Sequence, residues 1–207
     1  MKQPKSAQAD PAGSLEFERL SFFSDAVFAI AITLLVIDLK LPPPVEVTDS
    51  GLLAALLELI PQYIGFFVSF FVIGRFWIGH HKLFGLITGA DSALVWRNLL
   101  FLLTIAFMPF PTAIVGKFVQ LRTGVCFYSL WLAFAGWQNR RLIAYARAHL
   151  AVPGPKTELD GMLRNSWLAI LIGLAAFAFG LVSPLLALVP LIASPLILRV
   201  GRLAFKN

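Results

Sequence analysis

His80 and His81 stand side by side in the segment WIGHHKLF, where two imidazoles could hold a metal ion. Neighbouring side chains on a helix point about 100° apart, so this pair does not close easily on one ion. A hydrogen-bonding histidine near a membrane interface is the simpler reading. The single cysteine, Cys126, lies inside an apolar run and offers neither an intrachain disulfide nor a cysteine metal site. No HExxH, GxSxG or Walker loop occurs, and the TVGYG filter of the usual potassium channels is absent. No enzyme, cofactor or fixed metal site is therefore expected. Intramembrane acids are too few for a proton pump built on a carboxylate relay. What remains is RLSFFSDAVFAIAITLLVID, residues 19–38, which reads as a membrane helix yet carries Arg19, Ser24, Asp25 and Thr33. An ionised Asp at the bilayer centre costs ~2.5–3.5 kcal/mol on insertion scales, so Asp25 needs a reason.

The elements that position these residues follow from composition. The chain has 207 residues, of which 58% are hydrophobic and only 14% charged. Several apolar runs reach the ~20 residues that cross a bilayer. The expected class is all-α: a polytopic membrane protein with six transmembrane helices. The spans are placed at about 19–40, 52–79, 92–114, 118–142, 163–182 and 185–203. Residues 1–14 read as a disordered polar tail, and 15–207 as one transmembrane domain. The first 18 residues lack the short apolar core of a secretory signal. The segment AHLAVPGPKTELDG reads as a polar linker, and Pro184, Pro190 and Pro195 make the last span the least regular.

The net charge of +6 sits where it sets topology, with no need of nucleic acid. With both termini cytoplasmic, fourteen Lys and Arg fall inside, and only Lys40, Lys117 and Arg122 fall outside. The N-terminal end of the first helix, with Arg19 and Asp25, then lies near the cytoplasmic face.

At 100° per residue, with Ile30 set at zero, Phe23, Ala26, Thr33, Leu34 and Ile37 fall within about 60° of it. Asp25 falls about 140° away, beside Ala29. One face is thus an Ile/Leu stripe broken by a threonine, and the other carries the acid. Periodicity alone favours lipid contact or ordinary helix packing for the stripe. A buried acid needs partners, and Arg19, Arg75, His80, Trp96, Arg97 and Asn98 lie in the same half of the membrane.

The stretch R…FFSDAVFAIAITLLVIDLKLP closely resembles the signature of the TMEM175 potassium channels in their short prokaryotic form. Arg19, Phe23, Ser24, Asp25, Ala29, Ile30, Thr33, Leu34, Leu35 and Pro42 carry the match. GRFWIGHHKLF and WRNLLFLLTIAFMPFPT resemble that family's second and third helices, so the likeness covers roughly residues 19–113.

The resemblance implies a homotetramer in a bacterial or archaeal cell membrane, with the first helix of each subunit lining a central pore. It implies a hydrophobic constriction of Ile30, Leu34 and Ile37, with Thr33 as the layer linked to potassium preference and transient potassium contact. It further implies a polar cluster joining Phe23, Ser24 and Asp25 to His80, Trp96 and Asn98, with Arg19 upstream. The partners are then other subunits and the lipid bilayer, with potassium as the permeant ion and no small-molecule substrate. The rival readings are a small helical transporter, a lipid-modifying membrane protein or a structural membrane protein. A transporter needs a substrate cavity, at which only the proline-rich last span hints.

Overall fold

The computed structural model describes residues 11–42, 47–150 and 156–193. Within them the chain is helical: α1 (Pro11–Leu34) ends in a 3-10 turn (Leu35–Asp38), and α2 (Asp49–Glu58), α3 (Ile60–Phe84), α4 (Ser92–Phe107) and α5 (Pro109–Lys117) follow. Then come α6 (Arg122–His149), α7 (Lys156–Asn165), α8 (Trp167–Val182) and α9 (Pro184–Ala193). Four runs are long and apolar enough to cross a membrane: Gly13–Asp38, Ile60–Phe84, Ser92–Lys117 and Thr157–Val182. The expected fourth span, 118–142, forms the 28-residue α6, whose Arg122, Gln138, Asn139 and Arg140 dilute its hydropathy. The expected last span is described only as α9; residues 194–203 lie outside the described residues.

Prolines divide two of the expected helices. The 52–79 run becomes α2 and α3, broken at Leu59 just before Pro61. The 92–114 run becomes α4 and α5, broken at Met108 just before Pro109. A proline has no N–H to donate, so a helix carbonyl one turn back loses its partner. At the second break, the Met108 N–H bonds to Ile105 at 3.1 Å rather than to Thr104. The freed Thr104 carbonyl accepts the Trp131 indole N–H of α6 at 3.0 Å.

Two further departures concern polar segments. Helix α1 begins at Pro11, inside the expected tail, and residues 1–10 lie outside the described residues. The expected linker, 148–161, contains the start of α7, whose Glu158 pairs with Lys82 of α3 at 2.6 Å and whose Asp160 pairs with Arg147 of α6. Leu159, fully buried, and Met162 and Leu163 pack this helix on the core, and Arg140 of α6 donates to the Leu163 carbonyl at 2.6 Å.

Helices α6 and α8 make the most extensive contact in the chain. They approach on small residues, which let backbones meet where no water drives association. A Cβ at Gly173 would lie 2.7 Å from both the Ala133 nitrogen and the Ser129 carbonyl oxygen. Gly173→Leu is expected to cost about 1–3 kcal/mol by forcing α8 off α6. The check is the melting temperature of the purified protein in detergent; an unchanged value would mean that the helices part without penalty.

The core lies where α1, α3, α4 and α6 meet, filled by Phe28, Phe76, Phe101, Ile105, Met108 and Tyr128. The Ser69, Thr112 and Tyr128 hydroxyls chain together inside it, at 2.7 and 3.0 Å, tying α3, α5 and α6. A buried hydroxyl with a partner avoids the penalty of an unmade bond.

Candidate functional site

Helix α1 has one buried edge, made by Ser24, Phe28, Ala31 and Leu35. This spacing of i, i+4, i+7 and i+11 stays on one side of a helix. The edge packs on α3 and α4. At its lower end Ser24, fully buried, donates to the Leu20 carbonyl at 2.8 Å. It accepts from the Asn98 amide of α4 at 2.9 Å. The Asn98 carbonyl oxygen in turn accepts from His80 Nε2 of α3 at 2.8 Å, which makes Nε2 the protonated nitrogen of that ring. Three helices are joined by one continuous chain of hydrogen bonds.

Aromatic rings surround the imidazole of this chain. His80 stacks on Phe84 at 4.2 Å and sits near Phe28 and Phe101, at 5.5 and 6.1 Å. Helix α4 is held in place from its start: Asp91 caps it by accepting from the Leu94 N–H at 2.7 Å. The Tyr145 hydroxyl of α6 donates to the other Asp91 oxygen, and Arg97 lies over the Tyr145 ring at 4.2 Å. The Tyr145 hydrogen bond holds the Asp91 carboxyl below its ordinary range, so the cap stays ionised at neutral pH.

Asp25 takes a different partner from those expected. Its Oδ1 accepts the Trp77 indole N–H of α3 at 2.8 Å, on the half-buried shoulder of α1. Trp77 lies three residues before His80 on the same helix, a spacing that places both on one face. That spacing is the signal that sequence reasoning missed. Of the expected cluster, Ser24, His80 and Asn98 meet. Trp96 is 67% exposed and does not join them within the chain. Arg19 and Phe23 are also exposed. His81 is exposed, unlike its buried neighbour His80. No group of three or more metal-ligating side chains occurs among the described residues.

The opposite side of α1 is bare. Ile30 and Ile37 are 57% and 59% exposed, with Leu34 and Thr33 exposed between them. The 3-10 turn affects their alignment: at three residues per turn, positions i and i+3 eclipse, so Ile37 comes under Leu34. The Thr33 hydroxyl donates to the Ile30 carbonyl of its own helix at 2.9 Å, which leaves its oxygen lone pairs facing outward. At the end of the turn, Asp38 pairs with Lys117 of α5 at 3.7 Å.

A bundle of long apolar helices, with a polar anchor on one side of α1 and an uncovered Ile/Leu/Thr stripe on the other, is the build of a polytopic membrane protein. The model of the endosomal/lysosomal potassium channel TMEM175 family matches residues 19–109. A potassium channel of Chamaesiphon minutus is 37% identical over 174 residues, covering 81% of this chain and 86% of the relative. The crystal structure of a lysosomal potassium-selective channel TMEM175 homolog from the same organism superposes with a TM-score of 0.81 at 31% identity, covering 90% of this chain and 97% of that one. The endosomal/lysosomal proton channel TMEM175 of Gallus gallus is 34% identical over 144 residues, covering 62% of this chain but 29% of the relative. This chain belongs to the TMEM175 family.

Proposed function

We propose that this chain forms a potassium-permeable channel, with four copies placing α1 around a central axis. The observation that carries the reading is the bare face of α1: three large aliphatic side chains and one hydroxyl, back to back with a buried polar anchor. The bacterial relative and the superposed crystal structure are both named for potassium, which supports the choice of ion. Rings of Ile30, Leu34 and Ile37 narrower than a hydrated ion exclude water and block conduction. A small rotation or dilation of the four helices re-wets the path. The Thr33 oxygens, with their protons turned back to the helix, then replace part of the ion's hydration shell. Such weak coordination favours throughput and gives modest selectivity.

The polar anchor sets the pore width in this reading. Ser24, Asn98 and His80 fix how far α1 rotates against α3 and α4, and the Asp25–Trp77 bond fixes it a second time from the shoulder. Both termini lie in the cytoplasm: Lys82, Arg97, Arg140 and Arg147 gather at the end of the bundle where α1 begins.

The test is a reversal potential. Purified protein in planar bilayers under a potassium/sodium gradient is expected to reverse on the potassium side of zero. A reversal at zero would remove the selectivity claim, and no current would remove the channel. Flux that collapses a proton gradient without carrying potassium would transfer to this chain the ion named for the vertebrate relative.

A further inference from the structure

The uncovered line of α1 continues below the Ile/Leu/Thr stripe. Helix α1 runs without a break from Pro11 to Leu34. Glu16 precedes Leu34 by about five full turns and so stands beneath it. Arg19 precedes Ile30 by about three turns and falls within ~20° of it. Packing keeps that alignment. The buried edge of Ser24, Phe28, Ala31 and Leu35 extends down through Leu20 to Phe17, whose ring stacks on Phe84 of α3 at 5.4 Å. The rotation of α1 is therefore fixed at the level of Glu16 as well, and Glu16, Arg19 and Phe23 are all exposed.

Arg19 is an awkward residue for that line. Where four copies of α1 surround a central axis, four guanidinium groups sit ~17 Å below the Ile30 ring, on the side from which cytoplasmic potassium enters. A ring of cations repels a permeant cation, and rings of Lys or Arg suit anion pores. Glu16 lies three residues before Arg19, a spacing that makes the two neighbours on the helix surface. Glu18 carries the same charge but lies ~160° around the helix from Glu16.

We propose that Glu16 offsets the charge of Arg19 at the cytoplasmic mouth and so keeps that mouth open to potassium. This role rests on the channel reading above and adds to it a residue that sets conductance from one side without touching the constriction. Its reach is electrostatic. Charges act over about 30 Å at ~10 mM salt and about 3 Å at ~1 M, so the contribution of Glu16 fades as salt rises, which a role in folding does not.

The test is recording from inside-out patches of cells that express the full chain, where insertion is oriented. In ~10 mM KCl, Glu16→Gln is expected to lower outward potassium current about threefold, and Glu16→Lys more; in ~1 M KCl both are expected to match the parent. Glu18→Gln makes the same change of charge on the far side of the helix and is expected to alter the current by less than about 1.5-fold. Adding Arg19→Gln to Glu16→Gln is expected to restore the current. If that double variant does not assemble, Glu16→Gln against Glu18→Gln decides the matter. Unchanged current in Glu16→Gln at low salt, an equal loss in Glu18→Gln, or a loss that persists at ~1 M KCl would overturn the role of Glu16. Potassium current in the parent would still uphold the channel in each of those cases, whereas no current in the parent would remove both.

Discussion

Ile30→Asn is expected to raise potassium flux through reconstituted protein about tenfold. A barrier lowered by about 1.4 kcal/mol suffices for that change. In the proposed tetramer, four amides replacing four sec-butyl groups would supply it by offering hydrogen bonds to water in the proposed dry segment. The same residue is 57% exposed within its subunit, so the substitution removes little packing there. Folding stability of the subunit should shift by no more than about 0.5 kcal/mol. This separates a gating effect from a damaged fold. The measurement is potassium-driven dye flux in liposomes, with melting temperature as the companion reading. A variant that melts normally and conducts no better than the parent would place the constriction elsewhere.

Asn98→Leu is expected to destabilise the fold. Leucine is close to asparagine in size but leaves His80 Nε2–H without an acceptor, among the rings of Phe28, Phe84 and Phe101. An unsatisfied buried donor costs about 1–3 kcal/mol. Ser24 keeps its own bond to Leu20, so the loss falls mainly on the histidine. At about 2–4 °C per kcal/mol for a chain of this size, the melting temperature should fall by several degrees. Ser24→Ala alone should cost less, and the double variant less than the sum of the two singles, because one chain of bonds is broken in both. Strict additivity would mean that the three residues do not act as a unit.

The class of the fold was legible because apolar runs of bilayer length are a strong signal. The stripe of Ile30, Thr33, Leu34 and Ile37 was legible for a similar reason: helical periodicity puts those residues on one side, and the structure leaves that side uncovered. The breaks at Leu59 and Met108 were signalled by Pro61 and Pro109, but the apolar pattern runs through both and masks them. Helix α7 was hidden because only Leu159, Met162 and Leu163 bring it to the core, and the charged and glycine residues between them read as a linker. In the polar anchor, attention went to Asp25 because a charge in a membrane is conspicuous. The residue that enters the His80–Asn98 chain is its neighbour Ser24, which shares the buried edge with Phe28, Ala31 and Leu35. Trp77 was passed over because a tryptophan near a membrane interface needs no explanation of its own.

The break at Met108 has a mechanical consequence. An unbroken rod of α4 and α5 would have every inner carbonyl satisfied and could slide past α6 with little penalty. Instead it presents an open carbonyl at Thr104, and α6 presents the Trp131 indole N–H to meet it. A shift of a single turn, about 5.4 Å, would strand both groups in an apolar medium. The pair works as a registration mark: it lets the two helices bend or separate slightly as a unit, but fixes which rung of one ladder stands beside which rung of the other.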